Sequence, residues 1–351
     1  MWAPFDAALS ALRHELGSVA LELVSRTEVR DGSIVFTLEG TPEPRCFRWN
    51  ADGLVRLVPE YETTVKGARS IVERCRGDGG RILSWRPGRR LVARIDVGDE
   101  PCIVKAWKRG RALRAMRTQA AAREALAGTF EVPSVIAVDS ALDTAEMSVC
   151  CGSGIRLDDA DVVKRIGRGI GVLQRDLDAV GFPRHGREEE LRVLAQLADA
   201  YRFARGQLPQ GFESIIERLE PAAHDGPEPT VAAHRDLHDG QFVIDGHKIA
   251  LLDFDLAARS EPELDPANLC VHASWCGIQG TRGVDRDTSR HVDLALLAGF
   301  GCALDARAFA FYRATTALRL ALVWGMRPRW STQVGSLIEL AQAAEYEVAR
   351  A

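Results

Sequence analysis

The stretch His234-Arg235-Asp236-Leu237-His238-Asp239-Gly240-Gln241, followed by Leu251-Leu252-Asp253-Phe254-Asp255, decides how the rest of the chain is read. An aspartate sits in a polar loop, an amide side chain follows five residues later, and a second aspartate ends an apolar run twelve residues beyond that. Between them, Phe242-Val243-Ile244, the turn Asp245-Gly246-His247 and Ile249-Ala250-Leu251-Leu252 read as a β-hairpin. The hairpin turns the chain back on itself, so Asp236, Gln241 and Asp253 can converge on one small region. That convergence suits a proton acceptor beside a hydroxyl and a divalent metal on a nucleotide phosphate.

Working outward, the run Cys102-Ile103-Val104-Lys105-Ala106-Trp107 reads as a strand with a lysine inside it. An unpaired ammonium is costly to bury, so Lys105 calls for an anion. Two are on offer: nucleotide phosphates, and Glu124, the single acidic residue of the basic helix predicted over 111–128. The alternative is an edge strand whose lysine points to water. Two further strands, 81–85 and 91–97, are joined by Arg86-Pro87-Gly88-Arg89-Arg90. This turn is neither G-x-G-x-x-G nor a Walker-type phosphate loop. Its amides and guanidinium groups either face phosphates or form a solvated basic hairpin.

Before residue 80 the pattern predicts a helix over 5–16, short strands at 20–24, 33–38 and 54–58, and a helix over 65–75. From Asp158 onward it becomes helical, with segments at 162–180, 187–205 and 212–223, and more beyond residue 264. Glu188-Glu189-Glu190 reads as a solvated first turn complementing a helix dipole.

A formal net charge of −4 gives no basic field directed at nucleic acid or an anionic membrane. Met1-Trp2-Ala3-Pro4-Phe5-Asp6 lacks the basic start and apolar run of a secretory signal, and no window has the roughly 18 uninterrupted apolar residues of a spanning helix. The expectation is a cytoplasmic protein. Its eight cysteines are scattered and lack the spacing of a zinc knuckle, so reduced and mostly buried thiols are expected.

The segment 234–255, with Lys105 and Glu124 upstream, resembles the aminoglycoside phosphotransferase and choline kinase-like family, relatives of the protein kinases. The resemblance implies an α+β, bilobal protein-kinase-like fold. A small antiparallel-sheet N-lobe would fall within residues 1–151, and a larger, mainly helical C-lobe within 152–351. Residues 1–64 stand apart as a candidate accessory segment, either a separate sheet or an extension of the nucleotide lobe. It implies Mg²⁺ with ATP or GTP as donor and a small-molecule acceptor. No nucleic-acid or membrane partner is expected, and the chain would be a monomer or homodimer.

Residue by residue, Asp236 would be the catalytic base. Lys105 and Glu124 would form the phosphate-positioning pair, with Arg89 and Arg90 facing phosphates. Val149 and Cys151 would lie in a hinge (147–152) that meets the base. Gln241 and Asp253 would hold the metal. His234, His238 and Asp255 would have loop or acceptor roles, and Asp265 would anchor the catalytic loop. Gln241 stands where the family has asparagine, and Ser148-Val149-Cys150-Cys151 departs from the family's more apolar hinge. The implied activity is transfer of a γ-phosphoryl group to a hydroxyl of an aminoglycoside or other antibiotic, a sugar or a metabolic intermediate. The alternatives are a peptide Ser/Thr kinase of natural-product maturation and a catalytically silent nucleotide-binding scaffold. No long activation segment separates Asp253 from Pro262, which speaks against a regulated protein kinase.

Overall fold

The computed structural model describes residues 4–39, 43–97 and 100–350. Its first helix, α1 (Pro4–Leu16), buries Phe5, Ala8 and Leu12, one apolar stripe at helical spacing. A four-stranded antiparallel meander follows, formed by β1 (Val24–Arg30), β2 (Ser33–Leu38), β3 (Arg45–Asn50) and β4 (Gly53–Leu57). The strand expected over 20–24 is instead a 3₁₀ turn at Ser18–Leu21, entered through Gly17 at φ 82°, and β1 begins only at Val24. β1 and β3 carry arginines and other polar residues at many positions, which hides them from a hydrophobic pattern.

Helix α2 (Ala68–Gly77) leads into a five-stranded antiparallel sheet in the order β5-β6-β7-β9-β8. Its strands are β5 (Arg81–Arg86), β6 (Arg90–Val97), β7 (Glu100–Trp107) and, beyond helix α3 (Ala112–Ala125), β8 (Val135–Asp139) and β9 (Thr144–Ser148). Helix α2 packs Ile71 and Val72 with Leu91 and Val104 of this sheet, and α3 packs Ala112 and Met116 with Trp107 and Met147. After β10 (Ser153–Gly154) the chain is mainly helical, with α4 (Ala160–Asp176), α5 (Arg187–Arg205) and α6 (Phe212–His224). Four short strands come next: β11 (Val231–Ala233), β12 (Phe242–Asp245), β13 (Lys248–Leu251) and β14 (Ala258–Ser260). Helices α7 (Leu264–Gln279), α8 (Ser289–Phe300), α9 (Ala306–Gly325) and α10 (Val334–Arg350) complete the fold. Asp159 caps α4 through the amides of Asp161 and Val162, both at 3.1 Å, and Asp305 caps α9 through the Ala308 amide at 2.7 Å. The α+β class with an antiparallel sheet part and a helical part is as the sequence implies.

Among the described residues, strands β1–β4 hydrogen-bond with one another and not with the five-stranded sheet. Their apolar face does not join the five-stranded sheet. Phe5, Leu12, Phe36 and Leu38 share one core with Leu194 of α5, Trp275 of α7 and Phe311 of α9. Cys46, on β3, instead packs in the cluster of α2 and the five-stranded sheet. The four-stranded sheet therefore packs mainly on the helical part, touches the α2 cluster through Cys46, and is tied to the β5–β6 turn by Glu28 of β1.

The acidic start of α5 is less solvated than its composition suggests. Glu188 is exposed, but Glu189 accepts from the Gly186 amide at 2.8 Å, and Glu190 is buried against His185 Nε2 at 2.6 Å. All eight cysteines are free thiols, and five of them are buried. Among the described residues, no helix is long and apolar enough to cross a membrane.

Candidate active site

The catalytic-loop segment is held from beneath by α7. Asp265, fully buried near the start of that helix, accepts hydrogen bonds from the His234 amide at 2.7 Å and the Arg235 amide at 2.8 Å. Arg235 sits at φ 71°, in the left-handed region that costs a non-glycine residue energy. Two bonds to a buried carboxylate offset that cost. His234 is buried edge-on to Phe254, with centroids 5.0 Å apart, and its Nε2 lies 2.8 Å from the Leu252 carbonyl. The Leu252 amide donates to the Gln241 carbonyl at 2.9 Å. With both backbone groups of Leu252 clamped, the next residue, Asp253, is fixed at φ 66° beside the hairpin.

Asp253 and Asp255 face a cationic floor built from β6 and β7. Lys105 Nζ is 2.9 Å from Asp253 Oδ1 and 3.4 Å from Asp255 Oδ1. Arg90 Nη1 is 3.1 Å from Asp253 Oδ2 and 3.2 Å from Asp255 Oδ2. Trp107 Nε1 donates to Asp255 Oδ2 at 2.8 Å. The strand register explains the grouping: Arg90 lies opposite Trp107 across β6 and β7, and Lys105 is two residues before Trp107 on the same face. Burial works to raise the Asp253 carboxyl, but Lys105 and Arg90 hold it far below the usual carboxylate range.

Asp236 is half-buried at the mouth of the loop. Burial works to raise its carboxyl, while His238, Arg319 and His234 keep it below its ordinary value. Arg319, from α9, bonds Asn268 Oδ1 of α7 at 2.6 Å and brings a positive charge under the loop. His238 accepts from the Gly240 amide at 3.0 Å and stacks on His272 of α7, with centroids 5.1 Å apart. Asp239 is ion-paired with Arg282 at 2.6 Å.

The expected site residues divide into those brought together and those held apart. Lys105, Arg90, Asp253 and Asp255 form one cluster, and Gln241 and His234 adjoin it through Leu252. Glu124 does not take part. It is exposed on α3, whose buried stripe runs through Ala112, Ala115, Met116, Gln119 and Ala122, and residue 124 lies well off that stripe. The carboxylate partners of Lys105 are Asp253 and Asp255 instead. Arg89 turns away from Lys105 toward Glu28 of β1, 3.9 Å distant, and is more than half exposed. Val149 and Cys151 lie in the segment linking β9 to β10, the former half-buried and the latter exposed.

Three contributors escaped the sequence reading. Trp107 could have been found from its position two residues beyond Lys105. The lone arginine within the apolar run 317–323 was the trace of Arg319. Arg26 belongs to β1, and no local signal ties that strand to Asp236.

Gln241 is buried, and its side-chain amide lies 3.2 Å from His238 Nε2. Because His238 Nδ1 accepts from the Gly240 amide, its Nε2 carries the proton and pairs with the Gln241 amide oxygen, whose second lone pair is the side chain's metal-ligating capacity. An ionised carboxylate from Asp253 and an amide oxygen from Gln241 form a hard-oxygen donor set, which fits Mg²⁺ rather than a soft metal.

The arrangement, a kinase-like pair of layers with a lysine strand, a loop aspartate and a hairpin aspartate between them, is that of a phosphotransferase. A model of the phosphotransferase enzyme family (APH) matches residues 87–314, and the chain belongs to that family. Among solved structures it is similar to a choline/ethanolamine kinase family protein from Mesorhizobium loti, at 16% identity and a TM-score of 0.53, over 81% of this chain and 99% of that one. It is also similar to choline kinase LicA from Streptococcus pneumoniae, at 13% identity and a TM-score of 0.55, over 81% and 99%. An aminoglycoside phosphotransferase, APH(4)-Ia, in ternary complex with AMP-PNP and hygromycin B matches at 16% identity and a TM-score of 0.52, again over 81% and 99%. Among curated proteins, no sequence matches the chain.

Proposed function

We propose that the protein is an ATP- or GTP-dependent O-phosphotransferase that moves the γ-phosphoryl group to a hydroxyl of a small molecule. The observation that carries this reading is the joint presence of Asp236 at the cleft and the Lys105–Arg90–Asp253–Asp255 cluster. Phosphoryl transfer asks mainly for positioning and charge neutralisation. Asp236, kept ionised, orients the acceptor hydroxyl and takes its proton as the oxygen bonds to the γ-phosphorus and the bond from that phosphorus to the bridging oxygen breaks, releasing the nucleoside diphosphate. Lys105 and Arg90 are the cations within reach of the donor phosphates, and their carboxylate partners hold them in line. Asp253 and Gln241 would hold Mg²⁺ with the nucleotide, and the metal supplies Lewis-acid neutralisation of phosphate charge when bound. The segment 147–152 is the natural place for base recognition, since it joins β9 to β10 between the two halves. A silent scaffold needs neither an ionised Asp236 nor the costly conformations at Arg235 and Asp253.

The test is Asp236→Asn. Nucleotide binding and the unfolding midpoint should match wild type, while acceptor-dependent nucleotide consumption falls about 10²–10⁴-fold. Wild-type turnover in this variant would remove Asp236 from the chemistry.

A further inference from the structure

A cavity of about 330 Å³ lies where β1 of the four-stranded sheet meets α5 and the C-terminal end of α9. Four arginines line it, Arg26, Arg86, Arg89 and Arg327, with Glu28 as the one lining carboxylate. That carboxylate is already engaged: Arg86 Nε is 2.8 Å away, Arg26 and Arg89 are each 3.9 Å away, and Arg30 is paired with it as well. Among the described residues, Arg327 has no ion pair. Its Nε is buried without a hydrogen-bond partner, and its guanidinium lies over the Trp324 ring at 3.8 Å. Burial and the nearby Arg26 push Arg327 down to about 9, and burial and Arg86 push Arg26 down as well. Glu39, whose charge acts on Arg327, and Glu28 are carboxylates set against the four arginines, and the cations outnumber these anions.

The cavity adjoins the Lys105–Arg90–Asp253–Asp255 cluster through the turn between β5 and β6: Arg86 on its wall lies opposite Arg90, and Arg89 directly precedes Arg90. The Asp236 carboxylate also acts on the charge of Arg26. The wall is also built rigidly, since Thr27 Oγ1 donates to the Met326 carbonyl at 2.6 Å and Arg205 donates to the Gly325 carbonyl at 2.6 Å. The opposite side is apolar, formed by Leu197, Ala200, Leu322 and Val323. The donor phosphates have their own cations in Lys105 and Arg90, on β6 and β7.

We propose that this cavity is the acceptor subsite and that the acceptor is a hydroxylated small molecule carrying an anionic oxyacid group, a phosphate or a carboxylate. The group would lie between Arg26 and Arg327, and the rest of the molecule would extend toward Asp236. The assignment rests on the phosphotransferase reading above and narrows it. A polycation or quaternary ammonium would meet like charge here, whereas planar guanidinium groups suit oxyanions. The four-stranded sheet thereby gains a role, because β1 brings Arg26 to the cavity.

Equilibrium binding tests this independently of transfer. Thermal stabilisation and calorimetry on the full chain, with and without Asp236→Asn, would use millimolar inorganic phosphate, glucose 6-phosphate and glycerate. Their uncharged or cationic counterparts, glucose, glycerol and glucosamine, serve as comparisons. Anions should bind and the others should not, and the ranking of phosphate against glycerate identifies the oxyacid. Arg327→Gln and Arg26→Gln should each weaken anion binding about tenfold or more while leaving ADP affinity unchanged. Arg327→Lys, which keeps the charge and its packing over Trp324, should fall between, which guards against a folding defect in Arg327→Gln. Three results would each overturn the subsite: no stabilisation by any anion, glucosamine binding that survives Arg327→Gln, or ADP affinity falling in parallel with anion affinity. Anion binding without transfer to any acceptor would instead count against the phosphotransferase reading alone.

Discussion

Replacing Asp265 by asparagine isolates the anchor of the catalytic loop. The side chain is fully buried, and each oxygen accepts one backbone amide, from His234 at 2.7 Å and from Arg235 at 2.8 Å. Asparagine is nearly the same size, so packing is retained. It keeps one acceptor and presents an NH₂ donor to the other amide. Hydrogen bonds to charged groups are worth about 1.5–3 kcal/mol each, and a buried unpaired donor costs about 1–3 kcal/mol, so losing one bond and leaving one donor unpaired should cost about 2.5–6 kcal/mol locally. Arg235 is held in the left-handed region by this bond and should relax, carrying Asp236 out of line. Amide hydrogen exchange reads the effect directly. Protection of the His234 and Arg235 amides should fall by roughly 10²- to 10⁴-fold, while the α4–α8 region stays protected. Acceptor-dependent turnover should fall with it, and urea unfolding should move in the destabilising direction. Unchanged protection of both amides with an unchanged unfolding midpoint would refute the anchor argument.

Asp253→Asn should weaken Mg²⁺-dependent nucleotide affinity by about 10- to 100-fold or more; equal stabilisation of wild type and variant by Mg·ATP over ATP alone would contradict it. Trp107→Phe removes the hydrogen bond to Asp255, a loss of about 1.5–3 kcal/mol locally, and should raise the apparent KM for nucleotide more than it alters unfolding; a wild-type KM would detach Asp255 from phosphate positioning. Glu190 gives a pH signature. Burial opposes its ionisation, but the hydrogen bond from His185 and the charge of Arg319 hold it down to about 2, against 4.5 for a free glutamate. A depressed folded value means stability present above pH 4.5 and lost as pH falls toward 2, a contribution on the order of 3 kcal/mol. Urea unfolding followed from pH 6 to 2 should steepen in that window, and Glu190→Gln should flatten it.

Much of the site was legible in local sequence because its geometry is local. A loop, a tight hairpin and a second aspartate lie within about twenty residues, and the period-2 pattern of the hairpin fixes which groups return to the same place. The anchoring role of Asp265 was legible only through the family resemblance of the segment that opens the following helix. Lys105 was readable as a charge that needs an anion, but not as to which one. The sequence offered Glu124, and the helical phase of α3, set by the packing of Ala112, Met116 and Gln119, turns that residue to solvent. Asp255, expected in a loop or acceptor role, is a partner of Lys105, Arg90 and Trp107.

By itself, then, the sequence determined the chemistry of the loop and hairpin, since turn chemistry, strand alternation and short-range spacing act over a few residues, while the class of fold followed from the family resemblance those residues carry. Tertiary structure alone decided the partner of Lys105, the course of the four-stranded sheet and the cationic cavity. Each depends on surfaces far apart in the chain: α3 against its sheet, β1 against α5 and α9, and Arg327 brought opposite Arg26 across some three hundred residues. Such contacts are set by how apolar faces pack into a common core, and no local pattern encodes that.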